Sequence, residues 1–187
     1  MRRENFMPYL MNGAPLPREH GFPLRLFIPG KYGMKQPKWI TAIDFVDREF
    51  RGYWEMRGWS NSAWRKVNSG FFAPRPLAGG AADLDVPTRV VAPLEVWGWA
   101  LAGPSGIRMV EVSTDDGRSW QAAHIVENRE HYEWTVWKFH FAPREPGTYH
   151  LRVRATAGDG KRQPPRDPQN GSGMSGQPRL ALEVALS

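Results

Sequence analysis

Apolar and polar residues alternate with a period of two through most of the second half of the chain, and each alternating run ends on a turn signal. That is the pattern of short antiparallel strands with one face buried. Leu94 to Leu101 is rich in Val and Trp and stops at Gly103-Pro104-Ser105-Gly106. Arg108 to Thr114 follows and closes on Asp115-Asp116-Gly117, where Asp-Gly tolerates the positive φ of a type I′ hairpin turn. Ser119 to Val126 is the predicted return strand. Tyr132 to Phe141 puts Trp137, Phe139 and Phe141 on one face, and Pro143 to Gly147 breaks it. Thr148 to Ala157 turns Leu151, Val153 and Ala155 inward and Arg152 and Arg154 outward. Arg179 to Leu186 sets Leu180, Leu182, Val184 and Leu186 on one side. About six or seven strands in roughly one hundred residues predict a mainly β protein whose residues 87–187 form an immunoglobulin-like antiparallel β-sandwich. One register conflicts: Ile107 and Met109 alternate against Val110 and Val112, which requires either a bulge or a strand covered on both faces.

The first half is less regular. Leu24, Leu26 and Ile28 alternate with Arg25 and Phe27, a strand-like run for which an outward arginine is the ordinary reading. Residues 51–86 interleave Trp54, Trp59, Trp64, Phe71 and Phe72 with Gly, Ser and Pro. Free linkers carry few aromatics, so this stretch is predicted to be an ordered connector between residues 1–50 and 87–187. Low complexity is confined to 158–176, rich in Gly, Pro, Arg and Asp, and no internal repeat is visible.

Composition narrows the function classes. With 41% hydrophobic and 24% charged residues among 187, the chain has the makings of a core. No apolar run approaches the roughly 20 residues that cross a bilayer, and Met1 to Phe6 has no signal-peptide character, so the default compartment is the cytoplasm and no membrane partner is expected. The net charge of +6 is concentrated: residues 1–75 hold 13 Lys and Arg against 6 Asp and Glu, whereas residues 76–187 hold 12 against 13. A short basic segment beside a neutral sandwich suits a compact anion better than nucleic acid. There is no cysteine, and the five histidines, His20, His124, His131, His140 and His150, lack metal-ligand spacing. No catalytic residue and no metal ligand is assigned.

The basic segment carries the candidate chemistry. Asn12 to Leu26, then Gly30-Lys31-Tyr32-Gly33 and Lys38-Trp39, pack a histidine, several cations and glycine-bracketed turns into about thirty residues. Arg25 can grip an anionic group with two donors, Lys38 supplies a point charge and His20 can donate from either ring nitrogen. Gly21, Gly30 and Gly33 allow a ligand close to the backbone.

These residues also resemble a known pattern. Asn12-Gly13, Leu16-Pro17, His20-Gly21, Pro23, Arg25, Pro29-Gly30, Gly33 and Lys38-Trp39 are similar to the pterin-gripping segment of the sulfite oxidase family of molybdenum enzymes. Gly98-Trp99-Ala100, Ile107 to Trp120 and Trp134 to Trp137 resemble that family's dimerisation domain. The resemblance implies an incomplete remnant of a molybdopterin-binding domain followed by an immunoglobulin-like pairing domain. It implies molybdopterin-binding roles for His20, Arg25, Gln36 and Lys38, and a homodimer formed through the sandwich.

Three departures bear on activity. The family's molybdenum-ligating cysteine is absent, so the chain is expected to be the C-terminal portion of a molybdenum-cofactor oxidoreductase, inactive alone, with the missing cofactor domain as a further partner. The cofactor then belongs to the parent enzyme, whose compartment could be the periplasm, and none is expected to be retained by this chain. Pro37 replaces an apolar β-branched residue and removes a backbone N–H. In the stretch matching W-N-x-R-G, here Gln169-Asn170-Gly171-Ser172-Gly173, Ser172 stands where the family has an arginine facing its oxyanion, which leaves sulfite as the substrate open. The alternative is a stand-alone immunoglobulin-like interaction module without catalysis.

Overall fold

In the computed structural model, which describes residues 5–74, 86–127, 131–167 and 170–187, the Asn12-Gly13 step closes a tight hairpin between β1 (Leu10–Met11) and β2 (Ala14–Pro15). Three 3-10 turns follow, at Arg18–His20, Gly33–Lys35 and Glu55–Arg57. The strand-like run at 24–28 forms no ladder. Its backbone groups bond singly to separate loops, Leu26 N to the Pro37 carbonyl at 2.9 Å and Phe27 N to that of Phe6, also at 2.9 Å.

These elements lie in the first of two compact units, Met1–Arg65 with Gln169–Gly173. Its apolar burial is slight. Leu16 and Ala63 are its only buried hydrophobic residues among those described, while Phe45 is 98% exposed and Phe50 and Met56 are also exposed. Polar ties hold it instead: Lys35 pairs with Glu55 and bonds Asn61 at 3.0 Å, and Tyr32 N donates to the Ala63 carbonyl at 2.9 Å.

The second unit, Lys66–Pro168 with Met174–Ser187, is the sandwich. Its strands are β3 (Asn68–Ala73), β4 (Thr88–Ala92), β5 (Leu94–Leu101), β6 (Ile107–Ser113), β7 (Gln121–Ala122), β8 (His124–Glu127), β9 (Thr135–Phe141), β10 (Gly147–Ala157) and β11 (Arg179–Leu186). One sheet runs β4-β11-β10-β6-β7 and the other β3-β5-β9-β8. β4 lies parallel to β11; the other pairings are antiparallel. This is the immunoglobulin-like sandwich that the alternation predicts.

The predicted inward faces are buried. Trp137, Leu151, Val153, Ala155, Leu180 and Leu182 are wholly or almost wholly enclosed, and Phe71 meets Trp137 edge-on with ring centroids 5.7 Å apart. Burying side chains of this size contributes about 1.5–3 kcal/mol each, which makes this core the dominant stabilising feature of the unit. The Asp-Gly turn has the expected handedness, with φ of 60° at Asp116 and 95° at Gly117. The register conflict in β6 is a bulge: Met109 faces Thr156 and Ile107 faces Ala157, so Arg108 is the extra residue and Ile107 can point inward with Val110 and Val112.

Three sequence expectations need correction. Ser119 to Val126 is not one strand: β7 pairs with β6 in one sheet and β8 with β9 in the other, the chain crossing at Ala123. Side-chain alternation reports which residues face inward, and it says nothing of which sheet supplies the backbone partner. Residues 68–73, predicted within the irregular connector, form β3 and pair with β5. Leu186 does not join Leu180, Leu182 and Val184 inside; at the strand end it is 43% exposed.

The outer face of the five-stranded sheet is charged and internally paired. Arg154 grips Glu111 with two bonds of 2.8 and 2.9 Å under the ring of Trp120, Arg152 bonds Asp116 at 2.7 Å, and Arg89 reaches Glu183 at 2.9 Å. At the hairpin, Asp115 accepts from Ser119 Oγ at 2.6 Å, Ser113 Oγ at 2.7 Å and Ser119 N at 2.9 Å. The Ser119 hydroxyl, with these other donors, holds its carboxyl down to about 2.

Candidate functional site

The site is built around the turn Arg18–His20. Its three carbonyls receive three side chains in order: Trp39 Nε1 donates to Arg18 O at 2.7 Å, Lys38 Nζ to Glu19 O at 2.8 Å, and Arg25 Nη1 to His20 O at 3.0 Å. The turn's amide groups fold back on Pro17, whose carbonyl accepts from His20 N at 3.0 Å and Gly21 N at 3.1 Å. Both ends of the turn are thereby fixed from within the unit.

Gly21 is the floor of this arrangement. It takes φ of 116°, and a Cβ there would stand 3.1 Å from the Cβ atoms of both Arg25 and Lys38. Only glycine lets the two cationic side chains leave the backbone side by side. Trp39 N closes the loop onto the Gly21 carbonyl at 3.3 Å.

Of the residues named from sequence, Arg25 and Lys38 are brought together at Gly21 and are half-buried, and His20 belongs to the same turn with its side chain exposed. Arg25 has donor capacity to spare: its Nε is buried and has no hydrogen-bond partner. Gln36 serves a different loop, its amide donating to the carbonyls of Lys31 at 2.9 Å and Ile28 at 3.2 Å. The Pro37 carbonyl is engaged by Leu26 N, so that stretch is held through its acceptor.

Trp39 is the residue whose part was not read from sequence. In the sequence it stands only as the neighbour of Lys38, yet it anchors Arg18 O, lies with its ring 4.9 Å from Lys38 Nζ, and adopts φ of 57°. Positive φ at a tryptophan cannot be read from composition or period. With Arg18, Glu19, Phe22, Pro23 and Thr41 it lines an open groove of about 690 Å³ beside the turn. Its walls are mainly aromatic and apolar, from Trp39, Phe22 and Pro23, with Arg18 and Glu19 as the charged residues on it. Among the described residues no group of three His, Asp or Glu is placed to hold a metal ion.

The stretch matched to W-N-x-R-G also lies in the first unit. Gln169 is outside the described residues. Asn170 to Gly173 form a tight turn in which Gly173 N donates to Asn170 O at 2.9 Å and Ser172 N to Asn170 Oδ1 at 2.8 Å, while Ser60 N donates to Gly171 O at 2.6 Å. Arg179 lies with Nε 3.3 Å from Asp116 in the sandwich.

Comparisons with known proteins give the family. The chain matches the family described as "Oxidoreductase molybdopterin binding domain" over residues 1–54 and "Mo-co oxidoreductase dimerisation domain" over residues 82–177. Mitochondrial sulfite oxidase of Rattus norvegicus is 30% identical over 155 residues, covering 72% of this chain and 27% of that protein; the Homo sapiens protein is 30% identical over 176 residues, covering 83% and 31%. The sulfane dehydrogenase SoxCD of Paracoccus pantotrophus superposes with a TM-score of 0.74 at 21% identity, over 99% of this chain and 52% of that one, a likeness of fold. This chain belongs to the sulfite oxidase family of molybdopterin oxidoreductases, with a dimerisation domain and part of a molybdopterin-binding domain. It spans about 27–31% of the length of these curated relatives.

Proposed function

We propose that this chain supplies one wall of a pterin site and the surface that pairs two subunits of a sulfite-oxidase-like molybdenum-cofactor oxidoreductase. The observation that carries the first part is the convergence of Arg25, Lys38 and the His20 turn on Gly21, with Arg25 Nε buried and still free to donate. A buried donor without a partner costs about 1–3 kcal/mol, and an anionic oxygen of a pterin cofactor would relieve that cost.

In this reading Arg25 binds the anionic end of the cofactor through its planar fork. Lys38 adds a point charge and holds the turn by Glu19 O. His20, exposed beside them, donates to the heterocycle. Gln36 acts at one remove, bracing the 28–36 loop. Trp39 and Phe22 flank the ring in the groove. When bound, the molybdenum cofactor supplies the two-electron and oxygen-transfer chemistry; these side chains bind, orient and screen it. Ser172 leaves its turn without the cation that would favour a dianionic substrate such as sulfite, so we favour a substrate of lower charge. The sandwich pairs two copies of the chain.

The chain alone is not expected to keep cofactor through purification, so molybdopterin is supplied in excess: purified chain passed through a sizing column equilibrated with molybdopterin tests the wall directly. Pterin fluorescence co-eluting with wild type and lost in an Arg25→Glu, Lys38→Glu double variant supports the reading. Equal retention by both, or none by wild type, overturns it.

A further inference from the structure

Two Asn-Gly steps lie at the surface of the first unit, Asn12-Gly13 at the tip of the β1-β2 hairpin and Asn170-Gly171 in the turn that follows the masked-off W-N-x-R-G pattern, and both asparagines are exposed. Their surroundings differ. At Asn170 the turn aims two of its own N–H groups at the asparagine: Ser172 N donates to the side-chain Oδ1 at 2.8 Å, and Gly173 N donates to the main-chain oxygen at 2.9 Å. The amide between these acceptors, Gly171 N, has no hydrogen-bond partner among the described residues. No backbone N–H of the described residues is directed at the Asn12 side chain, which leaves a backbone at φ of 53°.

We propose that Asn170 is a site of self-modification, where the chain converts its own asparagine to aspartate and isoaspartate. Gly171 N gives its proton to solvent base and attacks Asn170 Cγ. The new N–C bond closes a succinimide ring, the Cγ–Nδ2 bond breaks, and Nδ2 leaves as ammonia after taking a proton from water. Water then adds to either ring carbonyl and opens the ring, so that the amide and water become a carboxylate and ammonium. Both hydrogen bonds favour the reaction. Charge released at Gly171 N spreads onto Asn170 O, where the Gly173 N–H already points, and the charge of the tetrahedral intermediate falls on Oδ1, where the Ser172 N–H points. The bond to Oδ1 also folds the side chain back along its own turn. Packing requires glycine as the attacking residue, because a Cβ at 171 would collide with the Gly58 carbonyl oxygen. The product adds a negative charge to the turn, and isoaspartate lengthens the main chain within a stretch held by Ser60 N on Gly171 O at 2.6 Å. Modification therefore recharges and loosens this turn, and needs no cofactor to do so.

Asn12 is the internal reference, since it is also followed by glycine and equally open to solvent. The full chain is kept warm in mildly alkaline buffer, folded in one sample and in guanidinium in another. Peptide mapping then follows the mass gain of amide-to-acid conversion at each step, and isoaspartyl methyltransferase labels the isoaspartate. Folding should raise the ratio of the Asn170 rate to the Asn12 rate by at least about tenfold over its value in denaturant. A ratio that folding leaves unchanged or lowers overturns the proposal. Ser172→Pro removes the N–H that meets Oδ1 and should slow Asn170 by about tenfold in the folded chain with Asn12 unchanged and far-ultraviolet circular dichroism retained. An unaltered rate at Asn170 in that folded variant overturns the part given to the Ser172 donor; if the variant does not fold, the comparison of folded and denatured wild type still decides.

Discussion

Arg25 donates through Nη1 to the carbonyl of His20 at 3.0 Å while its Nε, buried in the same unit, has no partner. One donor holds the turn, and in the proposed reading the planar fork also meets the anionic end of the cofactor. Lysine keeps the charge and can reach the carbonyl but has no planar fork. Arg25→Lys should therefore weaken molybdopterin retention by about tenfold or more and leave the melting of the sandwich unchanged. Retention equal to wild type, measured by pterin fluorescence, would show that the fork is not used.

Asp115 sets a pH dependence. Its carboxyl, held from 3.8 down to about 2 by Ser119 and its other donors, binds protons less readily when folded than when unfolded. It therefore contributes stability that is present above about pH 4 and lost as the pH falls through about 2. At pH 6, Asp115→Ala should lower stability by about 1–2 kcal/mol, and the gap from wild type should close in thermal melts taken towards pH 2. A gap that is constant with pH would contradict this.

Gln163 is a buried amide with every group engaged. It accepts from Ser69 Oγ at 2.6 Å and Ala155 N at 3.1 Å, and donates to Gly176 O at 2.9 Å and Asn68 Oδ1 at 3.2 Å. Gln163→Leu strands these partners without water and should cost about 2–4 kcal/mol in denaturant unfolding. Loss of less than about 0.5 kcal/mol would mean that the network relaxes around the change.

The strands of the sandwich were largely legible because one face is buried. In β9, β10 and most of β11 a period of two maps directly onto the core, from Trp137 and Phe139 to Leu151, Val153 and Leu182. β3 was missed because it opens with Asn68, Ser69 and Gly70, which carry no apolar alternation, and it is held by its pairing to β5. The sheet switch at Ala123 has no side-chain signature. In the site, spacing and charge pointed to Arg25 and Lys38, while the ordered grip of Trp39, Lys38 and Arg25 on three successive carbonyls depends on backbone geometry that no spacing encodes.

The slight apolar burial of the first unit has its own consequence. Residues 41–50 are all exposed and without regular structure, with Phe45 and Phe50 accessible. Chymotrypsin should cut there first and leave the sandwich as a resistant fragment, because local opening requires little disruption of packing. Simultaneous digestion of both units would contradict the difference in their cores.

Hydrogen exchange of the chain with and without molybdopterin tests the pterin wall most directly. Slowed exchange at residues 18–25 and 36–40 on adding the cofactor, with the strands of the sandwich unchanged, is the expected result. Exchange that is identical with and without cofactor throughout residues 5–65, or protection confined to the sandwich, would contradict it.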